Sequence, residues 1–278
     1  LVTGVQTCAL PIFSNELTDI IGILNGTTNY ILTQMIKNGA TFEAALKGAQ
    51  ENGYAEKDPT ADVEGYDTCR KIAILASLAF GKAVDSEKIE TEGITKITLE
   101  DVEYAAEFGG VIKLVGMTDR AENGVYARVC PVILKKDHPL AGIDDVFNGI
   151  LVRGEGLGDV MFYGRGAGSL PTASAVVSDV IDIVKHKHKH IELGWTEGEE
   201  GYLRDANEQS FRFYVRLSGK NSADFCREGF NVITLDGEKY ANEFAIFTPE
   251  MTGYEFEEFK KAELSGCDIL GSIRLVTE

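Results

Sequence analysis

The spacing of the apolar residues changes along the chain, and this change constrains the fold more than any other feature. Apolar residues recur every three or four positions over Phe42–Glu51 and Tyr66–Phe80, as they do on one face of a helix. After a further amphipathic segment at Leu99–Phe108, apolar and polar residues alternate over Val111–Asp119 and Val125–Ile133, which is typical of strands with one buried face. The pattern predicts an α+β fold in which helices cover one β-sheet.

Turn and capping residues locate the first elements. Asp19–Leu24 is predicted to form a short strand that breaks at Asn25–Thr28, where glycine and side-chain hydroxyls suit a tight turn. A helix is predicted to follow over Asn29–Lys37. Thr41 is the expected N-cap of the next helix, and Gly53 is its expected C-terminal break.

A polar, charged segment from His186 to Gln209 is the clearest linker in the sequence. It predicts two domains, residues 14–195 and residues 210–278. The order of segments in the second domain predicts a small α+β sandwich. Its strands are expected at Phe211–Leu217, Phe230–Leu235, Asn242–Phe247 and Ile269–Val276, and its helix at Glu255–Leu264.

Composition argues against several classes of function. The formal net charge of −17 argues against a nucleic-acid partner, since phosphate binding requires basic patches. No apolar run approaches the roughly 18 to 20 residues that a membrane-spanning helix needs. The five cysteines are widely spread and never arranged as C-x-x-C, which argues against a disulfide framework or a zinc site. We therefore expect a cytoplasmic protein with a small-molecule or protein partner, no membrane association and no metal site.

Residues 1–12 (LVTGVQTCALPI) resemble translated sequencing-adapter sequence and lack the basic start of a signal peptide. We expect residues 1–13 to be a non-native leader, with native sequence beginning near Phe13. An ordinary edge strand is the alternative, and Cys8 carries no chemical role under either interpretation.

The segment Gly53–Lys71 carries the residue types that do chemistry. An acidic loop containing Glu56 and Asp62 precedes a helix on which Asp67 and Lys71 are four residues apart and therefore share a face. A lysine beside carboxylates can relay a proton to or from an alcohol, and the carboxylates can receive the ammonium group of a ligand. A solvated ion pair at a helix start explains the same spacing, and spacing alone favours this plainer interpretation.

Three other patterns have plainer explanations. The Asn25–Asn29 turn offers hydroxyls before a helix start, as phosphate-binding turns do, but it lacks the lysine of a Walker motif. His186, His188 and His190 alternate with lysines, which would repel a metal cation, and they follow a helix end, where positive charge is favourable. The Gly164–Gly168 run, taken by itself, is better explained as a packing turn.

Three long motifs resemble those of the homoserine dehydrogenases, in the same order and at similar separations. They are Gly22–Leu32 (GILNGTTNYIL), Gly53–Lys71, and Gly164–Ala173 (GRGAGSLPTA). The resemblance covers about Ser14 to Lys185. It implies a substrate-binding and dimerisation domain over residues 14–195, built on a mixed β-sheet covered by helices. The activity it implies is the reversible NAD- or NADP-dependent interconversion of L-homoserine and L-aspartate 4-semialdehyde in threonine and methionine biosynthesis.

The resemblance also implies roles for individual residues. Lys71 matches the family's general acid/base, which donates a proton to the nascent alkoxide as the aldehyde is reduced and accepts it in reverse. Glu56 and Asp67 match the carboxylates that bind homoserine. Asp62 is a weaker substrate-site candidate that would also serve as a loop or helix-capping residue. Lys57 stands where many members have proline, which changes loop stiffness more than chemistry.

Cofactor binding is implied to be shared with a further domain. Gly53 and Gly168 match positions where the family's backbone approaches the cofactor, and only glycine lets a main chain come so close. No G-x-G-x-x-G motif follows a strand near the start of this sequence. In the family, a preceding domain binds NAD or NADP and supplies a second active-site lysine and most ligands of a monovalent cation. We therefore expect a fragment that is inert alone, from a homodimeric or homotetrameric parent.

Residues 210–278 resemble an ACT domain, a βαββαβ module that senses amino acids. The usual D-x-P-G turn is missing, and Lys220–Glu228 leaves room for a short helix at most. Threonine binding and a purely structural or dimerising role both remain open. Two alternatives are a non-catalytic amino-acid-binding regulator and a different semialdehyde oxidoreductase. The latter requires a nucleophilic cysteine in a tight turn, whereas Cys69 is predicted in a helix and Cys130 in a strand.

Overall fold

Eleven strands and seven α-helices make up the regular structure of residues 15–188 and 194–277, the parts of the chain that this computed structural model describes. The strands are β1 (Leu17–Ile23), β2 (Glu90–Thr91), β3 (Gly110–Ala121), β4 (Gly124–Lys135), β5 (Phe147–Gly154), β6 (Gly158–Arg165), β7 (Ser210–Ser218), β8 (Asn231–Ile233), β9 (Glu243–Phe247), β10 (Met251–Thr252) and β11 (Asp268–Val276). The helices are α1 (Gly26–Asn38), α2 (Phe42–Glu51), α3 (Thr60–Val63), α4 (Tyr66–Phe80), α5 (Leu99–Glu107), α6 (Ser169–His186) and α7 (Gly253–Glu263).

All of these strands belong to one mixed sheet, which confirms the predicted α+β class. Its order is β6-β5-β1-β3-β4-β11-β7-β9-β8, with β2 also paired to β4 and β10 to β7. The long β3–β4 hairpin forms the middle of the sheet, pairing Gly110 with Lys135 at one end and Ala121 with Gly124 at the other. Helices α1, α4 and α5 pack against β3 and bury the main hydrophobic core.

Gly116 of β3 determines how closely α4 approaches the sheet. A Cβ atom at this position would lie 2.9 Å from the Cβ of Ile72, a fully buried residue of α4. A side chain on residue 116 would therefore push the helix outward. The close packing fixes α4 on the sheet while the side chains of Asp67 and Lys71, on the same helix, stay partly exposed.

The first helix begins earlier than the sequence predicted. We expected a turn at Asn25–Thr28 and a helix from Asn29, but α1 starts at Gly26, with Asn25 as its N-cap. The Asn25 side-chain oxygen accepts a hydrogen bond from the Thr28 amide at 2.9 Å, so the predicted turn is the first turn of the helix. The expected bounds of α2 and its Thr41 cap are confirmed. The short helix α3 lies inside the acidic segment that was predicted as a loop.

The strands after the predicted linker extend the same sheet. β7, β8, β9 and β11 lie in the order β11-β7-β9-β8, and β11 pairs in parallel with β4. The first helix of the expected βαββαβ order is reduced to a 3-10 turn at Ser222–Phe225, which confirms that only a short helix fits there. The division into domains at residues 14–195 and 210–278 stays a prediction, since one continuous sheet crosses it.

A buried ionic cluster joins these later strands to α5. Asp101 of α5 is 1% exposed, and its Oδ1 accepts hydrogen bonds from Arg216 Nε at 3.0 Å and from the Tyr214 hydroxyl at 2.9 Å. The Arg216 guanidinium also pairs with Glu243 of β9 at 3.1 Å. One arginine therefore pairs with two carboxylates at this junction.

The described residues also bear on the predictions about membrane-spanning helices and metal sites. None of the helices described has the length and apolar composition that crossing a membrane requires. His186 ends α6, where its Nδ1 lies 3.2 Å from a carboxylate oxygen of Asp182, while His190 lies outside the described residues. Within residues 15–188 and 194–277, no group of three or more histidine, cysteine, aspartate or glutamate side chains is placed to hold a metal ion.

Candidate active site

Lys71 lies where α4 passes the carboxyl end of β1. Its Nζ donates one hydrogen bond to the Leu24 carbonyl at 2.9 Å and one to Asp67 Oδ2 at 2.6 Å. The ammonium group is thus held between a strand end and the preceding turn of its own helix. The predicted pairing of Lys71 with Asp67 on one helix face is confirmed, with the two side chains 45% and 31% exposed.

Asn25 brings a second carboxylate to the same place. Its Nδ2 donates to Asp62 Oδ1 at 2.7 Å and to Asp67 Oδ2 at 2.9 Å. Asp62 comes from α3 and Asp67 from the first turn of α4, so the short helix inside the acidic segment is what presents Asp62 to this cluster. The Asp62 side chain caps neither α3 nor α4, since neither helix has a side-chain cap at its start, and its role in binding substrate stays a prediction.

All six residues singled out from the sequence line one cavity of about 600 Å³. Its walls come from the start of α1, the acidic segment, α4, the beginning of β5 and the glycine-rich turn before α6. The predicted residues among the lining are Gly53, Glu56, Asp62, Asp67, Lys71 and Gly168. A volume of this size accommodates a small metabolite together with part of a larger ligand.

Glu56 faces the cavity from the acidic segment. Its backbone carbonyl accepts a hydrogen bond from Gln50 Nε2 at 3.1 Å, which ties this segment to α2. Among the residues of the described ranges, none forms a hydrogen bond or ion pair with the Glu56 carboxylate. The carboxylate is therefore open to a ligand, unlike those of Asp62 and Asp67.

The two glycines give the cavity bare stretches of backbone. Gly53 has a φ of +73°, and a Cβ atom built there would meet nothing within 4 Å. Gly168, with a φ of +125°, is the N-cap of α6, and a Cβ there would meet only the side chain of Pro171, at 3.4 Å. Both positions therefore need glycine for their backbone conformation, and both leave the main chain open to a flat ligand.

Sequence reasoning missed Asn148 of β5, which also lines the cavity. Its Nδ2 donates to the Leu24 carbonyl at 3.3 Å, the same oxygen that accepts from Lys71. Its Oδ1 is buried and has no partner among the described residues. A single asparagine in a strand carries no local signal, and only the pairing of β1 with β5 brings it to this place.

The two cysteines considered as nucleophiles lie where the sequence predicted, Cys69 in a helix and Cys130 in a strand. Cys69 is a buried residue of α4 whose thiol donates to the Ser86 carbonyl at 3.3 Å. Cys130 lies within β4, where burial raises the pKa of its thiol. Neither lines the cavity, so the structure gives no support to a semialdehyde oxidoreductase that attacks its substrate with a cysteine.

The family model described as homoserine dehydrogenase matches residues 5–181, which is more than half of the chain. The chain belongs to the homoserine dehydrogenase family. The matched region begins inside residues 1–13, which we expected to be a non-native leader. Those residues lie outside the described ranges, and the leader stays a prediction.

Curated homoserine dehydrogenases are similar in sequence. The protein from Bacillus subtilis is 38% identical over 266 residues, which cover 95% of this chain and 58% of its own length. The protein from Synechocystis is 54% identical over 174 residues, which cover 61% of this chain and 40% of its own length. This chain therefore spans about half the length of these relatives.

Solved structures share the fold over almost the whole chain. A homoserine dehydrogenase from Thiobacillus denitrificans superposes with a TM-score of 0.83 at 34% identity, covering 96% of this chain and 65% of that one. The S. aureus homoserine dehydrogenase at pH 6.0 gives a TM-score of 0.79 at 31% identity, covering 95% of this chain and 67% of that one. A hyperthermophilic archaeal homoserine dehydrogenase mutant, solved in complex with NADPH, matches 69% of this chain and 54% of its own, with a TM-score of 0.55 at 27% identity.

Proposed function

We propose that this chain forms the substrate-binding and proton-transfer part of a homoserine dehydrogenase, which interconverts L-homoserine and L-aspartate 4-semialdehyde with NAD or NADP. The observation that carries the proposal is the gathering of Lys71, Asp67, Asp62 and Glu56 around one cavity, with the lysine nitrogen 2.6 Å from a carboxylate oxygen. L-Homoserine carries an ammonium group and a hydroxyl group besides its carboxylate, and this lining offers a partner for each of those two.

Lys71 is the proton donor and acceptor of the proposal. An ammonium group has three N–H donors, and two of those on Lys71 point to Leu24 and Asp67. The third is directed to the oxygen of the substrate. When a hydride adds to the aldehyde carbon, the electron pair of the C=O bond moves to this oxygen, which takes a proton from Lys71 and becomes a hydroxyl. In the reverse direction the neutral amine accepts the hydroxyl proton.

The carboxylates position the substrate. The Glu56 carboxylate, which has no partner within the described ranges, receives the substrate ammonium in this proposal, and Asp67 provides a second oxygen nearby. Such charge-assisted hydrogen bonds fix orientation as well as adding affinity. Asp62 acts through the shared hydrogen bonds of Asn25.

The bare backbone at Gly53 and Gly168 fits a nicotinamide cofactor at the cavity mouth, since a Cβ atom would narrow the approach at either position. NAD or NADP, when bound, supplies or accepts the hydride. We propose that the rest of the cofactor site, a second lysine and the monovalent-cation ligands belong to a nucleotide-binding domain of the parent protein. The proposal is supported by the shorter span of this chain relative to its relatives.

An exposed apolar surface supports the further proposal that another domain or subunit packs here, as in a homodimer or homotetramer. No residue of α6 is buried, and Leu170, Ile183 and Val184 are 62% to 81% exposed. Exposed apolar surfaces of this extent commonly mark interfaces.

The order of β7, β8, β9 and β11 suits an ACT-like module, and threonine binding there stays a prediction.

A purely regulatory, amino-acid-binding role is not favoured. A binding pocket needs charges to recognise an amino acid, but it does not need a lysine held by two acceptors with one donor left over. Proton transfer to a substrate oxygen does require a lysine that is held in place and has one N–H group left for the substrate.

A chimeric enzyme tests the proposal. Residues 15–278 of this chain would replace the matching segment of the Bacillus subtilis relative, which would supply the remainder of its own chain. We expect the chimera to oxidise L-homoserine with NAD or NADP, followed by nicotinamide absorbance, and we expect this chain alone to show no turnover. A folded chimera without activity, in the presence of either cofactor, would contradict the proposal.

A further inference from the structure

The side chain of Asn25 uses all of its hydrogen-bonding groups in the site. Its Oδ1 accepts from the Thr28 amide at 2.9 Å and from the Thr28 hydroxyl at 3.1 Å. Its Nδ2 donates to Asp62 at 2.7 Å and to Asp67 at 2.9 Å. Because the helix amide needs an acceptor and the carboxylates need a donor, the amide can point only one way. The residue is 6% exposed.

The arrangement fixes where the two aspartates lie. One oxygen of each accepts a hydrogen bond from the same nitrogen, so the two carboxylates lie close together. An amide between them donates to both and adds no charge. Asp67 Oδ2 is also the oxygen that holds Lys71 at 2.6 Å. The position of the lysine therefore depends on the amide through Asp67.

We propose that Asn25 is a positioning residue of the active site, which holds the carboxylates of Asp62 and Asp67 side by side through its two N–H donors and thereby orients Lys71. The role in catalysis rests on the function proposed above, whereas the effect on the two carboxylates does not. A helix cap alone does not account for the residue, because aspartate caps a helix as well as asparagine does. Asparagine differs from aspartate at this position in the two N–H groups that its amide donates.

Asn25→Asp separates positioning from capping in the chain as it stands. The variant keeps the cap and the side-chain shape but places a third carboxylate against the other two. We expect about one proton to be taken up at neutral pH, since carboxylates that share a site cannot all ionise. Infrared difference spectra with ¹³C-labelled aspartate should show the carbonyl band of a protonated acid. Asn221→Asp is the matched control, because the Asn221 side chain caps the 3-10 turn at Ser222–Phe225 but donates to no carboxylate among the described residues.

The double variant Asn25→Asp with Asp62→Asn returns one amide to the cluster. We expect it to lose the protonated-acid band and to regain the thermal stability lost in Asn25→Asp. If Asn25→Asp alone shows no protonated-acid band and keeps the thermal stability of the wild type, the inference is overturned. If Asn25→Asp fails to fold, the double variant decides: recovery of folding supports the inference, and failure to recover overturns it.

Activity gives a separate readout. In the chimeric enzyme, Asn25→Asp should lower kcat by about 100-fold, the scale of loss that a misplacement of about 1 Å produces. It should also shift the pH profile, which a capping defect alone would not do. If the parent chimera is inactive, the proposed function fails, while the infrared result still decides the role of Asn25.

Discussion

Replacing Lys71 with methionine in the chimeric enzyme should lower kcat for L-homoserine oxidation by about a thousandfold, within the range that a positioned acid or base contributes. Methionine fills a similar volume but cannot accept the hydroxyl proton. KM should change much less, because Glu56 and Asp67 remain to bind the substrate. Steady-state kinetics at one pH, with both kcat and KM determined, would measure the difference.

Lys47→Met is the matched control for this prediction. Lys47 and Glu51 form an ion pair four residues apart on α2, at 3.7 Å, with both side chains more than 60% exposed. The same chemical change is made at a lysine that does not line the cavity, and kcat should stay at the value of the unmodified chimera. Comparable losses in the two variants, or full activity in Lys71→Met, would remove Lys71 from the mechanism. Both pairs are solvent-accessible, so neither change should prevent folding.

Replacing Arg216 with methionine should lower the free energy of unfolding by about 3 kcal/mol, because removing one partner of a buried ion cluster leaves uncompensated charge. Arg216 is 6% exposed, and the change would strand the carboxylates of Asp101 and Glu243. The loss would be measured by urea unfolding at neutral pH, as a lower midpoint.

Arg227→Met provides the control in the same part of the chain. Arg227 pairs with Glu263, and both side chains are more than 40% exposed, so its loss should cost about 1 kcal/mol or less. Equal costs for the two arginine variants would show that the Arg216 cluster does not join the later strands to α5. If Arg216→Met changes the free energy of unfolding only slightly and the chain unfolds in two separate transitions, residues 210–278 form an independent domain instead.

The sequence predicted the features that depend on local chemistry. The bounds of α2 and α4 follow from their apolar spacing, together with the Thr41 cap and the glycine that ends α4. The four-residue separation of Asp67 and Lys71 on one helix guaranteed that they would be neighbours. The motifs indicated which of these groups would share a site, and the cavity contains them all.

Features that depend on distant parts of the chain could not be predicted. The parallel pairing of β11 with β4 joins strands far apart in sequence, and no periodicity encodes a partner. Asn148 reaches the Leu24 carbonyl only because β5 pairs with β1. The sequence placed Asn25 in a turn, but its hydrogen bond to Asp62 depends on the position of the short helix α3. The acidic composition of that segment predicted a loop and gave no sign of this helix.

The most direct test of this account is a calorimetric titration of L-homoserine into the chain and two variants. We predict saturable binding that Asp67→Asn weakens by about 10- to 100-fold, the range expected when one charge-assisted hydrogen bond is lost, whereas Glu43→Gln, an exposed acid on α2, leaves it unchanged. If the unmodified chain does not bind L-homoserine, or if the Asp67→Asn variant binds it with the same affinity, the claim that Asp67, its neighbouring carboxylates and Lys71 form the homoserine site is contradicted.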